Sequence, residues 1–526
     1  MHESHAVDPE ALLTVAPTER MFETDVDTAF GFGFGIDSSP VAPANAQVLR
    51  HVTTLARSMD EVSVEQGIAL RVLQVLTDDN TSNVASEFAA TPEFMATLMQ
   101  FMAQASHRAM GEHKPRHRTP SVGLATTPCT PPGQLEDDED VAIGRGAGGG
   151  EQLSQRPQAP SADTSMLSME WCARAANILA NVCRHSTPAC LAVWGEGLLA
   201  LAHELLQRLV DHAATHHTDE EELQNTLAAT AVAAADATVR IVSMQPTADG
   251  PMAFSLTSSA LTAAENERLV RGQWRTNAME DVCHVAWHCL YGAGVRWAMA
   301  EKLVTEGLLV RVLSMCVNSA TACTSACRLL LLLCSVSHSD ALADDQRSRR
   351  LAETASHIVV ATCRTLRAHL DPNSDNDVSL WVAACALLQH LLYWAAKDSA
   401  IGITLWSTLA QNNVLAPLVD IALRLQAKHV VAVPVLPLTL LRILCVFVCV
   451  PFGVWSSTAP QGIQEYLQRL YASPSGRAAV LYLVSLCGLD DVYPPQDRED
   501  VRLCSRKIVQ ALQQVSSPRV RRHCHV

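Results

Sequence analysis

One short stretch of the chain gathers several side chains that bind metal ions or carry protons. Asp281, His284 and His288 lie in the run Asp-Val-Cys-His-Val-Ala-Trp-His-Cys, which also holds Cys283 and Cys289. On a helix, positions i, i+3 and i+7 share one face, and two histidines four residues apart can bind one zinc ion. A metalloprotease helix also needs a glutamate directly after the first histidine, which this run lacks. We therefore interpret Asp281, His284 and His288 as a polar surface that contacts a protein, and expect no metal there.

The cysteines are spaced as buried residues of helices. Cys323, Cys327 and Cys334 are separated by four and seven residues, and Cys445 and Cys449 by four. The 17 cysteines include no Cys-x2-Cys pair, and most lie in apolar runs, where free cysteine packs as a small hydrophobic residue. We expect core thiols in a reducing, cytoplasmic compartment.

Motifs of known reactions are missing from the sequence. The run Gly144 to Gly150 lacks the Gly-Lys-Ser/Thr ending of a phosphate-binding loop, and no Gly-x-Ser-x-Gly motif occurs. The net charge of −15 disfavours nucleic acid as a ligand, because duplex binding needs clustered Lys and Arg. We predict a protein that is not an enzyme and needs no cofactor, and whose protein partners carry basic patches.

Helices must position these residues. Hydrophobic residues make up 48% of the chain and aromatic residues only 5%, so Leu, Ala and Val supply the core, which favours an all-α fold. The sequence Glu-Gly-Leu-Leu occurs at 196–199 and again at 306–309, each time opening an apolar run. Recurrence of a helix-entry signal is typical of stacked helical repeats.

The repeated units share one order of elements: a long helix, a short polar turn, a short connecting stretch, and a Gly or Asn that opens another apolar helix. Gly197, Gly307 and Asn413 occupy this last position, where positive φ is tolerated. The pattern resembles the armadillo repeat, with the HEAT repeat as the close alternative. The clearest units lie near 66–103, 171–210, 282–316 and 380–425.

The resemblance implies an armadillo-like α-solenoid, a superhelix of stacked repeats that binds protein. Armadillo proteins that carry nuclear-import signals resemble one another in a ladder of Trp-x3-Asn pairs. Here Ala175, Tyr291 and Cys385 stand where that ladder would have Asn after Trp171, Trp287 and Trp381. The sequence therefore does not predict an import adaptor.

The composition divides the chain into five regions. We predict a disordered N-terminal arm at 1–45, the first helical repeat at 46–105, a disordered Thr/Pro-rich, acidic and Gly-rich insertion at 106–165, armadillo-like repeats at 166–515 and a flexible tail at 516–526. The apolar stretch from Val430 to Trp455 contains Arg442, and prolines limit its helix to roughly 13 residues, so we expect no membrane span.

These observations lead to one main hypothesis and one alternative. The main hypothesis is a cytoplasmic scaffold or adaptor that binds a protein partner through its superhelical surface, and the family resemblance suggests a cytoskeletal or ciliary setting. The alternative is an armadillo-like regulator that acts as a nucleotide-exchange factor on a GTPase or a chaperone.

Overall fold

The computed structural model describes residues 64–78, 92–109, 162–185, 200–215, 263–293, 307–341, 345–397, 404–405, 407–409, 411–453, 473–488 and 492–516. This part of the chain is all-helical and contains no β-strand, which confirms the predicted all-α class. Residues 200–215 are helical. The other helices are α1 (Val64–Asp78), α2 (Pro92–Ala109), α3 (Ala162–His185), α4 (Ala263–Ala293), α5 (Leu308–Met315), α6 (Ala320–Ala341), α7 (Asp345–Ala368), α8 (Asp375–Lys397), α9 (Leu415–Arg424), α10 (Ala427–Ala432), α11 (Val435–Gly453), α12 (Pro474–Cys487) and α13 (Pro495–Ser516).

The helices contact one another in two series. In the first series α3, α4, α6, α8, α11 and α13 follow one another, and each packs against the next. In the second series α5 packs against α7, α7 against α9, and α9 against α12. Contacts of α5 with α6, of α7 with α8 and of α12 with α13 join the two series, and α1 and α2 pack on α3.

The core between these helices consists mainly of aliphatic side chains and thiols. Helix α6 shows this most clearly, since all five leucines at 329–333 are buried. A helix that is apolar on every side has to lie between other elements, and α6 contacts α4, α5, α7 and α8. The cysteine side chains that the structure describes are all buried, as the sequence predicts for core cysteines.

Two residues with positive φ open apolar helices. Gly307 has a φ of 66° directly before α5, and Asn413 has a φ of 48° two residues before α9 begins. The left-handed conformation expected at this repeated position is therefore confirmed at both sites, while Gly197 lies outside the described residues. Gly and Asn occupy this region at the lowest cost among the residues.

Arg442 connects helices α11 and α13 through ion pairs. Its guanidinium on α11 lies 2.6 Å from a carboxylate oxygen of Asp500 and 3.3 Å from one of Asp497, both on α13. The Arg442 side chain is 8% exposed, and its counter-ions Asp497 and Asp500 are partly exposed, so the ion pairs lie at the edge of the core. A buried charge is tolerated only when it is paired in this way.

Helix α11 is longer than the sequence indicates. It spans Val435–Gly453. Pro437 lies in the first turn, where a backbone N–H has no helical partner, and Pro451 lies in the last turn, where its ring removes one backbone hydrogen bond only near the end of the helix. The prolines therefore do not confine it to roughly 13 residues. Even so, none of the helices in the described ranges is both long and apolar enough to cross a membrane.

The predicted region boundaries fall mostly on residues that the structure does not describe. Regions 1–45 and 517–526 and the span 110–161 lie outside the described residues. Helix α2 continues to Ala109 and α3 begins at Ala162, so both extend a few residues into the predicted insertion. Helices occupy the described parts of 46–105 and 166–515.

We expect Arg442→Ala to lower the free energy of unfolding by about 3 kcal/mol, because two carboxylates then lose their buried partner. Urea unfolding followed by circular dichroism at 222 nm measures this. Arg506→Ala, at an exposed position on α13, is the matched control and should change stability by less than about 0.5 kcal/mol. Equal midpoints for the two variants would contradict the structural role assigned to Arg442.

We expect Gly307→Ala to destabilise the protein by about 1 kcal/mol through backbone strain alone, because a Cβ there has no atom within 4 Å. The converse change, Asn413→Gly, relieves strain in the same conformation and should leave the unfolding midpoint unchanged or raise it. If both substitutions destabilise equally, the left-handed backbone is not the reason for these residues.

Candidate functional site

A connected set of polar side chains crosses helices α1, α3, α4 and α6, and we call it the polar ladder. Each member interacts with at least one other member through a hydrogen bond or a close electrostatic interaction. Its members are Gln74, Glu170, Arg174, Asn177, Arg184, Glu280, Asp281, His284, His288, Thr321 and Arg328.

Helix α3 carries the central residues of the polar ladder. Its polar residues stand at 170, 174, 177, 181 and 184, alternating between spacings of four and three, so they form one stripe along the helix. The other residues between 171 and 183 are apolar, and Cys172, Ile178, Leu179 and Val182 are buried. The stripe therefore faces α1 and α4, and the apolar faces fill the core.

Between α1 and α3, charged and amide groups form a compact network. Arg174 donates through Nε to Glu170 Oε1 at 2.9 Å and through a terminal nitrogen to Gln74 Oε1 at 2.5 Å. Arg71 also reaches Glu170 Oε1, at 3.1 Å. The Arg174 guanidinium lies 4.9 Å from the centre of the Trp274 ring on α4, a cation–π contact that adds a third helix to the network.

Asn177 links three helices. Its Oδ1 accepts a hydrogen bond from Gln74 Nε2 on α1 at 2.9 Å, and its Nδ2 donates to Asp281 Oδ1 on α4 at 3.1 Å. Asn181 Nδ2 also donates to Asn177 Oδ1, at 3.3 Å. A partly buried amide that satisfies donors and acceptors on both sides positions the neighbouring helices relative to each other.

Two adjacent carboxyl groups on α4 are buried beside Asn177. Burial, together with the charge of Glu280, raises the pKa of Asp281 to about 8, so this carboxyl is mostly protonated at neutral pH. Burial also raises the pKa of Glu280, although Thr321 on α6 donates to Glu280 Oε2 at 2.7 Å. The positive charge of Arg184 opposes both shifts.

The exposed end of the ladder holds two imidazoles. Arg184 donates to His284 Nδ1 at 3.3 Å, so the proton of a neutral His284 ring is on Nε2 and is donated to His288 Nε2, 2.8 Å away. Burial lowers the pKa of His284 well below its usual value, and the charges of His288, Arg184 and Arg328 act in the same direction. His284 is therefore uncharged at neutral pH. It accepts a hydrogen bond from Arg184 and donates one to His288.

An aromatic ring borders this imidazole pair. The Trp287 ring lies edge-on to the His288 ring with centroids 4.6 Å apart, and the Arg328 guanidinium of α6 lies 6.0 Å from the Trp287 centroid. Arg184 is exposed, while His284, His288 and Arg328 are partly exposed. This end of the ladder presents hydrogen-bonding, cationic and aromatic groups to solvent, a combination common in protein interfaces.

The structure places the three predicted site residues on one stripe of α4 but in unequal surroundings. His284 and His288 form the partly exposed pair, whereas Asp281 is buried against Asn177. On the other side of α4, Val282, Ala286 and Cys289 are buried, as the sequence predicts for that face. Among the residues that the structure describes, no group of three or more His, Cys, Asp or Glu side chains is arranged to hold a metal ion.

The Trp-x3-Asn pattern does not identify Asn177, the asparagine of the polar ladder. Asn177 stands six residues after Trp171, not four, and contacts Asp281 more than 100 residues later in the chain. The signal that could have revealed it is the polar stripe with spacings of four and three in an otherwise apolar helix. Arg328 and Thr321 carry no such signal, because their role depends on the packing of α6 against α4.

Comparisons with known proteins assign no family. No protein-family model matches the chain, and no curated protein matches it.

We expect Asp281→Asn to remove a pH dependence of stability. The folded protein holds a proton on Asp281 between the ordinary pKa of 3.8 and the folded value of about 8, and the unfolded chain releases it. The free energy of unfolding of the wild type therefore falls as pH rises through this interval. Asparagine keeps the acceptor for Asn177 without an ionisable proton, so the stability gained by Asp281→Asn should grow from pH 4 to pH 8 and then level off.

Urea unfolding at several pH values measures this difference. Asp420→Asn, at an exposed position on α9, is the matched control and should show a nearly constant offset. A constant offset for Asp281→Asn as well would contradict the raised pKa.

Proposed function

We propose that this chain is a non-enzymatic armadillo-like scaffold that binds a protein partner along the face that carries the polar ladder. The single observation that carries the proposal is the ladder itself, a partly exposed polar and aromatic stripe that continues over the consecutive helices α3, α4 and α6. A stripe shared by successive helices is the kind of extended surface that repeat proteins use for binding.

The order of helix contacts supports the solenoid part of the proposal. Each helix of the first series packs mainly against the one before and the one after, and the second series lies alongside it. In helical-repeat proteins each unit contacts only its neighbours.

The repeated left-handed residue supports a repeated structural unit. Gly307 and Asn413 adopt the same backbone conformation at the entrance to α5 and α9, two equivalent helices of the second series. Two positions more than 100 residues apart with one conformation and one role favour a common repeat.

The exposed end of the ladder is the best candidate for the contact itself. Arg184 offers an exposed guanidinium, and the His284–His288 pair and Trp287 lie beside it. Arg and Trp are enriched among the residues that dominate interface energies. The net charge of −15 adds a long-range attraction for partners with basic surfaces, which accelerates their encounter.

Affinity purification of the full chain from its native cell, followed by mass spectrometry, tests the proposal. We expect a reproducible set of protein partners with the wild type and a loss of at least about tenfold in their recovery with Arg184→Glu, as expected for a central interface residue. Arg364→Glu, at an exposed position on α7 in the second series, is the matched control and should retain the partners.

Circular dichroism of both variants checks that they are folded. Retention of the partners by a folded Arg184→Glu variant would exclude the ladder as the interface. Absence of any stable protein partner from the wild type would contradict the scaffold proposal as a whole.

A further inference from the structure

Two buried thiols meet across the contact between α3 and α4. Cys183 Sγ and Cys289 Sγ are 3.8 Å apart, although the residues are separated by 106 positions in the sequence. Both residues are buried, with 2% and 0% of their surfaces exposed. A disulfide requires the sulfurs to approach to about 2.05 Å, so the two side chains have to rotate toward each other before the bond forms.

We propose that Cys183 and Cys289 form a reversible disulfide that links α3 to α4 when the protein meets a hydroperoxide. One thiol, as its thiolate, attacks a peroxide oxygen, the O–O bond breaks, and a sulfenic acid and water are produced from hydrogen peroxide. The second thiol then attacks the sulfenic sulfur, the S–S bond forms, and the sulfenic oxygen leaves as a second water. The two thiols lose two electrons and two protons, and the peroxide takes up both.

The position of the pair gives a small oxidant a route to it. Cys183 is two residues from the end of α3 at His185, and Cys289 is four residues from the end of α4 at Ala293. Last turns of helices open more easily than their centres, so local opening exposes these thiols without unfolding the array. Cys172, in the middle of α3, is fully buried, and burial raises its pKa to about 12, which disfavours the reactive thiolate.

The link would act on the polar ladder. Helices α3 and α4 are also joined by the bond from Asn177 to Asp281 and by the bond from Arg184 to His284. A covalent tie between Cys183 and Cys289 fixes the crossing of the two helices next to Arg184 and His288. The inference concerns the thiol chemistry and does not depend on partner binding.

Peptide mapping of the full-length protein tests the proposal. The reduced protein is treated with hydrogen peroxide at increasing concentration, free thiols are blocked with N-ethylmaleimide, and tryptic peptides are analysed without reduction. We expect peptide 175–184, which contains only Cys183, to become linked to peptide 276–296, with loss of two hydrogens. Peptide 276–296 contains both Cys283 and Cys289, so the experiment is repeated in Cys283→Ser to assign the bond.

Matched variants separate the pair from its surroundings. Cys183→Ser and Cys289→Ser should each abolish the linked peptides, whereas Cys172→Ser on the same helix should retain them. Oxidation should also raise the thermal unfolding midpoint of the wild type, and dithiothreitol should reverse the rise. Circular dichroism of the reduced variants verifies that they are folded.

Two results would overturn the proposal. In the first, Cys183 and Cys289 both react with N-ethylmaleimide after peroxide treatment while other cysteines are oxidised. In the second, the linked peptides form only when peroxide is added in denaturant, which would show that the native arrangement does not bring the sulfurs together.

Discussion

Packing of each helix against the next is the interaction on which this structure depends. Helices such as α6 are apolar on nearly every side and are not stable alone in water. They are stable only when they pack between other helices, and in the first series, from α3 to α13, the inner helices have one neighbour on each side. Each interface between helices therefore contributes its own buried aliphatic and thiol surface to the free energy of folding.

Polar groups enter this apolar arrangement only where a partner meets them. Arg442 is buried because Asp497 and Asp500 pair with it, and the amide of the partly buried Asn177 is satisfied by Gln74 and Asp281. Such groups cost free energy when a partner is missing, so they determine which helix faces lie together. The polar ladder joins four helices in this way, and its exposed end at Arg184 and the imidazole pair is where its polar chemistry reaches solvent.

Composition and residue spacing predicted several features of the structure. The aliphatic composition indicated helices, the cysteine spacing indicated core thiols, and the repeated Gly or Asn indicated a left-handed residue that Gly307 and Asn413 adopt. The length of helix α11 was predicted less accurately, because proline can either end a helix or lie within one of its end turns. Pro437 and Pro451 were predicted to limit α11, but proline is compatible with the first turn of a helix, and the helix also continues past Pro451 to Gly453.

The sequence by itself determined the helices and the sides on which they are apolar, because helical periodicity depends only on neighbours a few residues apart. It also brought Asp281, His284 and His288 onto one stripe of α4. Only the tertiary structure decided that Asp281 is buried against Asn177, that Arg184 donates to His284, and that Cys183 lies 3.8 Å from Cys289. These pairs are about 100 residues apart, and no local pattern encodes which faces of α3 and α4 meet. The residues of each pair come together because the apolar faces of α3 and α4 are buried, and this burial places the polar stripes of the two helices against each other.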